Sequence, residues 1–234
     1  MNFLQDKSKI SLSKRLKFTA AAVRDGSRAA DVGCDHGYLS AHLILSGKCP
    51  LIYATDISEK SLKKAKRLFV EKGIEEKVVA CLADGLDGIS PDSVDDVVIA
   101  GLGGDSIFGI VSRHSWLKDS DKHLVLVPSS RHAKLRRYLY KEGFAILSET
   151  AVWDKRRAYT VMSAKYEGNE KITTTIFEEF GKILSSDGDN KEYITVVKRR
   201  YDRVLREIGK ADKIDVNIVK RAREILTYIE NLEV

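Results

Sequence analysis

Short runs of aliphatic and β-branched residues recur along the first two thirds of the chain, at 28–33, 51–56, 77–82, 94–100, 122–127, 144–152 and 157–164. Between most of them, at 39–45, 59–72, 106–116 and 131–142, apolar residues return every three or four positions, the signature of helices with one buried face. Strand and helix alternate through the first five runs, which predicts parallel βα units joined by right-handed crossovers. The last two runs break that rhythm. Only Asp154-Lys155-Arg156-Arg157 joins them, too short for a crossover helix, so they are expected to pair as an antiparallel hairpin. Ahead of the first strand, Leu12, Leu16 and Val23 stand at helical spacing.

Beyond Glu167 the pattern changes to Glu, Lys, Arg and Ile at helical intervals. Ile194, Val197, Tyr201, either Val204 or Leu205, and Ile208 form one stripe, and Ile214, Ile218, Ala222, Ile225, Ile229 and Leu232 form another. Two such stripes predict an antiparallel, coiled-coil-like pair with its turn at 209–213. An earlier helix over 176–184 is set off by the polar stretch 185–190. The division expected is an α/β domain over 1–167 and a helical domain over 168–234.

At 234 residues and 43% hydrophobic content the chain is long enough for one full-sized core with an appendage. Its net charge of +6 is compatible with a polyanionic partner without requiring one. Lys198, Arg199, Arg200, Arg203 and Arg206 on the first arm helix, Lys220, Arg221 and Arg223 on the second, and Arg131 after the fifth strand are the candidate phosphate contacts, a solvated helical face being the alternative. Cys34, Cys49 and Cys81 make neither a closely spaced metal pair nor an even disulfide set, so reduced thiols and no metal are expected. No apolar stretch reaches the roughly 20 residues of a membrane span, and the first residues lack the apolar core of a signal peptide. The expectation is a cytoplasmic protein without a membrane partner, a monomer or alternatively a dimer.

The candidate chemistry sits where strands end. Ala29-Ala30-Asp31-Val32-Gly33-Cys34-Asp35-His36-Gly37-Tyr38-Leu39 reads as a strand, a glycine-punctuated turn and a helix start, and Tyr53-Ala54-Thr55-Asp56-Ile57 delivers an acid about twenty residues later. The turn is not the Gly-x-Gly-x-x-Gly of a dinucleotide site, because Asp31 and Asp35 flank Gly33 and make it a poor seat for a diphosphate. An acid-lined turn suits a cation, and S-adenosylmethionine carries both a sulfonium and an ammonium. Asp31 is placed to accept from its amino group and Asp56 to take both ribose hydroxyls. After the third strand, Asp84 and Gly85 stand where an acid can bond an adenine amine, although a capping turn explains Asp84 as well when taken alone. After the fourth, Gly101, Gly103 and Gly104 form a turn that lets backbone approach a ligand, the alternative being a tight strand-to-helix turn that packs on the sheet.

The combination of Leu12-Ser13-Lys14-Arg15-Leu16, the Asp31-to-Leu39 turn, Ala54-Thr55-Asp56-Ile57, Ala83-Asp84-Gly85-Leu86 and Ile99-Ala100-Gly101-Leu102-Gly103-Gly104 resembles the bacterial tRNA (adenine(22)-N1)-methyltransferase family. The likeness runs from the N-terminal helix through the hairpin at Tyr159 and into the C-terminal helices. It implies a Rossmann-like class I methyltransferase fold: a seven-stranded, mostly parallel sheet ending in the hairpin, plus a coiled-coil-like arm. It also implies S-adenosylmethionine as cofactor, tRNA as partner, and methyl transfer to N1 of an adenine in the D-arm region. The cofactor contacts it implies are Arg15, Asp31, Gly33, Asp35, His36, Tyr38, Asp56, Ile57, Asp84, Gly85 and Gly101. The residues nearest the chemistry are Asp31, Gly101, Gly103 and Ser129. Two departures stand out: Val127-Pro128-Ser129-Ser130 replaces the family's usual Gln-Pro-Asn, and Cys34 replaces a frequent serine or threonine. Ser129 and Ser130 keep hydrogen-bonding capacity with less reach. Attack by N1 needs no covalent enzyme intermediate, and Asp31, Asp35, His36 or Asp84 are the groups available to offset the developing positive charge. Since one fold serves many acceptors, another RNA position, a small molecule, or a non-catalytic RNA-binding role are the rival readings.

Overall fold

The computed structural model describes residues 10–183, 185, 187–209 and 215–232. Seven strands, β1 (Ala29–Val32), β2 (Ile52–Asp56), β3 (Val78–Leu82), β4 (Asp96–Ala100), β5 (His123–Val127), β6 (Phe144–Asp154) and β7 (Arg157–Tyr166), form one sheet in the order β3-β2-β1-β4-β5-β7-β6. Pairings among β1 to β5 are parallel, whereas β7 runs antiparallel to both β5 and β6. Because β1 lies between β2 and β4, the strand order reverses there, and the carboxyl ends of these strands open the crevice where α/β sheets bind ligands.

Helices α1 (Lys14–Ala22), α2 (Tyr38–Leu45), α3 (Glu59–Lys72), α4 (Gly104–Arg113) and α5 (His132–Lys141) surround the sheet. Two apolar cores result, one on each face: Leu39, Leu43, Ile52 and Phe69 lie in the first, Leu86, Ile99, Ile107 and Leu135 in the second. Local chemistry sets the helix ends. Ser58 Oγ accepts from Ser61 N at 3.2 Å to start α3, and Gly73 at φ +67° stops it. Two predicted helices prove shorter than the periodicity suggests. Arg131 sits at φ +57°, so α5 begins one residue later, at His132. In α4, His114 Nδ1 donates to the Ile110 carbonyl at 2.7 Å in place of a continuing backbone N–H, which leaves Trp116 in a separate 3-10 turn at 115–117.

The expected hairpin is present and tighter than its four-residue link suggests. Asp154 pairs with Arg157, leaving a two-residue turn in which Lys155 (φ +48°) and Arg156 (φ +64°) are both left-handed. Asn-Gly is the usual choice for that geometry, so here tertiary contacts hold the turn: Asp154 Oδ2 accepts from Arg15 N at 3.3 Å. A register shift between Ile146 and Ser148 turns Leu147 outward.

Helices α6 (Thr175–Phe180), α7 (Asp189–Ile208) and α8 (Val216–Leu232) follow. Ile194, Val197, Tyr201, Ala222, Ile225 and Ile229 are buried together, with Leu205 rather than Val204 packed against them. Ile218 departs from its predicted stripe and is 44% exposed. The predicted turn at 209–213, Ile214 and Leu184 fall wholly or partly outside the described residues. The same cluster takes in Ala151 of β6, so the helices pack directly on the sheet. Arg136 of α5, fully buried, bonds Glu149 of β6 through Nε and Nη2, at 2.6 Å for the shortest contact, and gives Nη1 to the Glu178 and Glu179 carbonyls at 2.7 Å. Gly181 (φ +57°) permits this approach, because a Cβ there would meet the Glu149 carboxylate.

Candidate active site

A cavity of about 690 Å³ opens at the carboxyl ends of β1 to β4. All eleven residues expected from the sequence to hold a cofactor line it: Arg15, Asp31, Gly33, Asp35, His36, Tyr38, Asp56, Ile57, Asp84, Gly85 and Gly101. They arrive from α1 and four different strand ends, so only the topology brings them together.

The β1 turn is wound through three left-handed residues, Gly33 (φ +69°), Asp35 (φ +50°) and Gly37 (φ +72°). Gly37 is required by packing, since a Cβ there would lie 2.6 Å from Phe69 Cζ of α3. Asp31 is 3% exposed and accepts from Ser40 Oγ at 2.7 Å. Burial raises its pKa to about 6, with the Ser40 hydroxyl opposing the shift. Burial likewise pushes the Cys34 thiol up, which makes Cys34 a packing residue of the cavity wall and not a nucleophile.

Asp56 is oriented by two backbone donors, Asp35 N to Oδ2 at 3.0 Å and Ser58 N to Oδ1 at 2.8 Å. The β1 and β2 loops are thereby locked to one another. At the rim His36 Nδ1 meets Asp35 Oδ2 at 2.8 Å, Lys64 Nζ lies 3.0 Å from His36 Nε2, and the His36 ring stacks with Tyr38 at 6.0 Å. Ile57 presents an apolar surface, 75% exposed, beside Asp56.

Two arginines complete the electrostatics. Arg15 lies 5.1 Å from the Tyr159 ring centre, and its buried Nη1 has no hydrogen-bond partner among the described residues. A Cβ on Gly101 (φ +93°) would come 3.2 Å from that same Nη1. Sequence reasoning missed the second, Arg113 of α4, which gives Nη1 to Asp84 Oδ2 at 3.0 Å. That hydrogen bond holds the Asp84 carboxyl below its ordinary range and leaves Oδ1 for a ligand. No local motif marks Arg113. It reaches the site because α4 runs back past the β3 loop, as do Ser106, Gly109 and Ile110, which also line the cavity.

The glycine turn divides its labour. Gly101 faces the cavity, whereas Gly103 and Gly104 face the segment after β5. A Cβ on Gly104 would stand 2.8 Å from the Arg131 carbonyl and 3.0 Å from that of Ser130. Gly101 N to Val127 O (2.9 Å), Ser129 N to Leu102 O (2.8 Å) and Gly104 N to Ser130 O (3.0 Å) join the two segments. Gly103 and Ser129 therefore stand beside the cavity and not in its wall, with the Ser129 and Ser130 side chains exposed. Arg131 is ion-paired to Asp105 through Nε at 3.0 Å. On α7, Arg199, Arg203 and Arg206 are exposed, but Arg200 is drawn into an ion pair with Glu179. Among the described residues no cluster of metal-ligating side chains occurs, and no helix is long and apolar enough to cross a membrane.

A Bacillus subtilis tRNA (adenine(22)-N(1))-methyltransferase is 30% identical over 158 residues, 68% of this chain, and the chain spans 66% of that protein's length. The crystal structure of the B. subtilis m1A22 tRNA methyltransferase TrmK superposes with a TM-score of 0.81 at 25% identity, covering 96% of this chain and 98% of that one. A Streptococcus pneumoniae protein, Sp1610, solved in complex with S-adenosyl-L-methionine, gives 0.78 at 26% identity over 92% of this chain and all of its own. The model of the family described as "Methyltransferase domain" matches residues 12–162. By that match the chain belongs to the methyltransferase domain family, and its fold, helical arm included, is that of TrmK.

Proposed function

We propose that this protein transfers a methyl group from S-adenosylmethionine to N1 of adenine 22 in the D-arm region of tRNA. The observation that carries the reading is the cup of carboxylates at successive strand ends, closed on one side by an arginine nitrogen that is buried and unsatisfied among the described residues. A zwitterionic nucleoside fits both features. Asp31 accepts from the amino group, Arg15 Nη1 donates to the carboxylate, Asp56 takes the ribose hydroxyls, and the free Asp84 oxygen takes the adenine amine beside Ile57. When bound, S-adenosylmethionine supplies an electrophilic methyl group on a sulfonium.

The chain's own contribution is placement and charge. Gly101 brings backbone to the reacting end without a side chain. Ser129 and Ser130, held to the glycine turn, are the polar groups at the entrance for an adenine unstacked from its partner. Anionic Asp31 and Asp35 offset the positive charge that develops on the methylated ring. In this reading residues 1–167 form the catalytic domain, and residues 168–234 form an arm whose exposed Arg199, Arg203 and Arg206 contact tRNA phosphates. Work in the cytoplasm as a monomer accords with it.

Incorporation of tritiated methyl into unmodified tRNA tests the assignment. We expect label in the wild-type transcript and none when adenine 22 is replaced. Label that survives the replacement would move the target elsewhere, and donor binding without label would favour a non-catalytic role.

A further inference from the structure

We infer that the tip of the β6–β7 hairpin, Lys155, Arg156 and Arg157, grips RNA phosphates between the helical arm and the mouth of the cavity. The inference rests on the proposed methyl transfer, which makes RNA the polyanion that reaches this surface.

The tip is cationic at the expense of its own backbone. A two-residue turn with both residues left-handed is met most easily by Asn-Gly, yet Lys155 (φ +48°) and Arg156 (φ +64°) occupy it, followed directly by Arg157. Side chains in that region strain the backbone, and such strain collects where a chain has a task other than stability. All three residues are exposed, and among the described residues their side chains have no hydrogen bond, ion pair or ring contact. The acid of the turn is occupied elsewhere, since Asp154 Oδ2 accepts from Arg15 N at 3.3 Å. Arginines around the sheet are otherwise matched: Arg24 to Asp96, Arg28 to Asp95, Arg113 to Asp84, Arg131 to Asp105 and Arg137 to Glu178. Adjacent cations without a counter-charge repel one another, so this cluster is suited to an external anion and not to an internal partner.

Location gives the cluster its task. Asp154 fixes the tip to the first turn of α1, from which Arg15 enters the cavity wall and lies 5.1 Å from the Tyr159 ring of β7. On the arm side, Asp189 at the start of α7 accepts from Trp153 N at 2.9 Å through Oδ2 and from Lys14 Nζ at 2.7 Å through Oδ1. The hairpin end, α1 and α7 therefore meet at one junction. At about 1.5 Å per residue, Arg199 and Arg206 lie about 15 and about 26 Å along α7 from Asp189, so the tip stands between the exposed arginines of the arm and the cavity.

Giving the turn the residues its backbone prefers separates charge from shape. K155N/R156G removes two cations while suiting both left-handed positions, so its thermal midpoint should equal or exceed the parent's. Its calorimetric affinity for S-adenosylmethionine should stay within about twofold of the parent, because no tip residue lines the cavity. In filter binding we expect tRNA affinity to fall about tenfold at low salt, and the slope of log affinity against log salt to shrink by roughly 1.4–1.8, the counterion release of two phosphates. The kcat/KM for tRNA should fall in parallel, with kcat at saturating tRNA within about twofold of the parent. K155R/R156K keeps both charges and should bind as the parent does. Parental affinity and slope in K155N/R156G would overturn the inference, as would an equal loss in K155R/R156K, which would trace the effect to shape. If K155N/R156G does not fold, R157Q decides: a slope reduced by roughly 0.7–0.9 supports the contact, and an unchanged slope overturns it. A parent that binds tRNA without labelling adenine 22 would sink the proposed function alone, since the slopes still read the tip. A parent that binds no tRNA would sink both.

Discussion

The proposed function needs Asp31 as an anion at a position where burial disfavours anions. Its folded pKa of about 6 lies above the ordinary 3.8, so the native state binds this proton more tightly than the unfolded chain. The contribution to stability is therefore greatest below pH 4 and is lost as pH rises towards 6, by about 3 kcal/mol in all. Asp31→Asn should abolish that slope, leaving the variant more stable than the parent at pH 7 but not at pH 4 in urea titrations at both pH values. The same substitution should weaken S-adenosylmethionine binding by about tenfold or more, the worth of a charge-assisted hydrogen bond. Parent affinity should itself decline below pH 6, as the carboxylate takes up its proton. Asp31, Asp56 and Asp84 were legible in the sequence because each stands at or beside a strand end, and spacing from a strand end survives without coordinates. Arg113 was not, because its place depends on the path of α4 across the β3 loop, a distance in space with no counterpart along the chain.

Among the elements, the glycine turn after β4 carries the sharpest constraint. A methyl group at position 104 would enter the carbonyls of Ser130 and Arg131, which are backbone and cannot turn aside. Gly104→Ala should consequently push the 128–131 segment outward, costing about 1–3 kcal/mol of stability as overpacking does. kcat should fall with donor affinity nearly unchanged, a combination that thermal unfolding and steady-state kinetics will resolve. Three closely spaced glycines point, in sequence, to close approach of a ligand. In the structure Gly101 lines the cavity, whereas Gly104 seats the neighbouring loop. Strand positions were readable from β-branched runs and the hairpin from its short link. The Lys155-Arg156 turn and the shift at Leu147 were not, since tertiary contacts there override local preference.

For the molecule as a whole, the arm is joined to the sheet by more than apolar packing. Arg136 and Glu149 are both fully buried at their side chains, and Arg136 reaches the Glu178 and Glu179 carbonyls, the second of which also accepts from Tyr193. The helical periodicity of residues 168–234 was plain, but this polar joint was not, because no pattern in a single sequence pairs α5 with α6 across about forty positions. The exposed face of α7 is a separate matter. Replacing Arg199, Arg203 and Arg206 by alanine should leave donor affinity unchanged, weaken tRNA binding, and reduce the slope of log affinity against log salt by roughly 0.7–0.9 for each phosphate no longer neutralised. An unchanged slope in filter-binding titrations would remove these residues from the RNA surface.

In the proposed function, carboxylates at the strand ends grip a cationic methyl donor. Titration calorimetry of S-adenosylmethionine into the parent and Asp56→Ala tests it most directly. We predict one site in the parent and an affinity at least about tenfold weaker in the variant, whose ribose contacts are gone. Equal affinities, or no heat of binding to the parent, would contradict it.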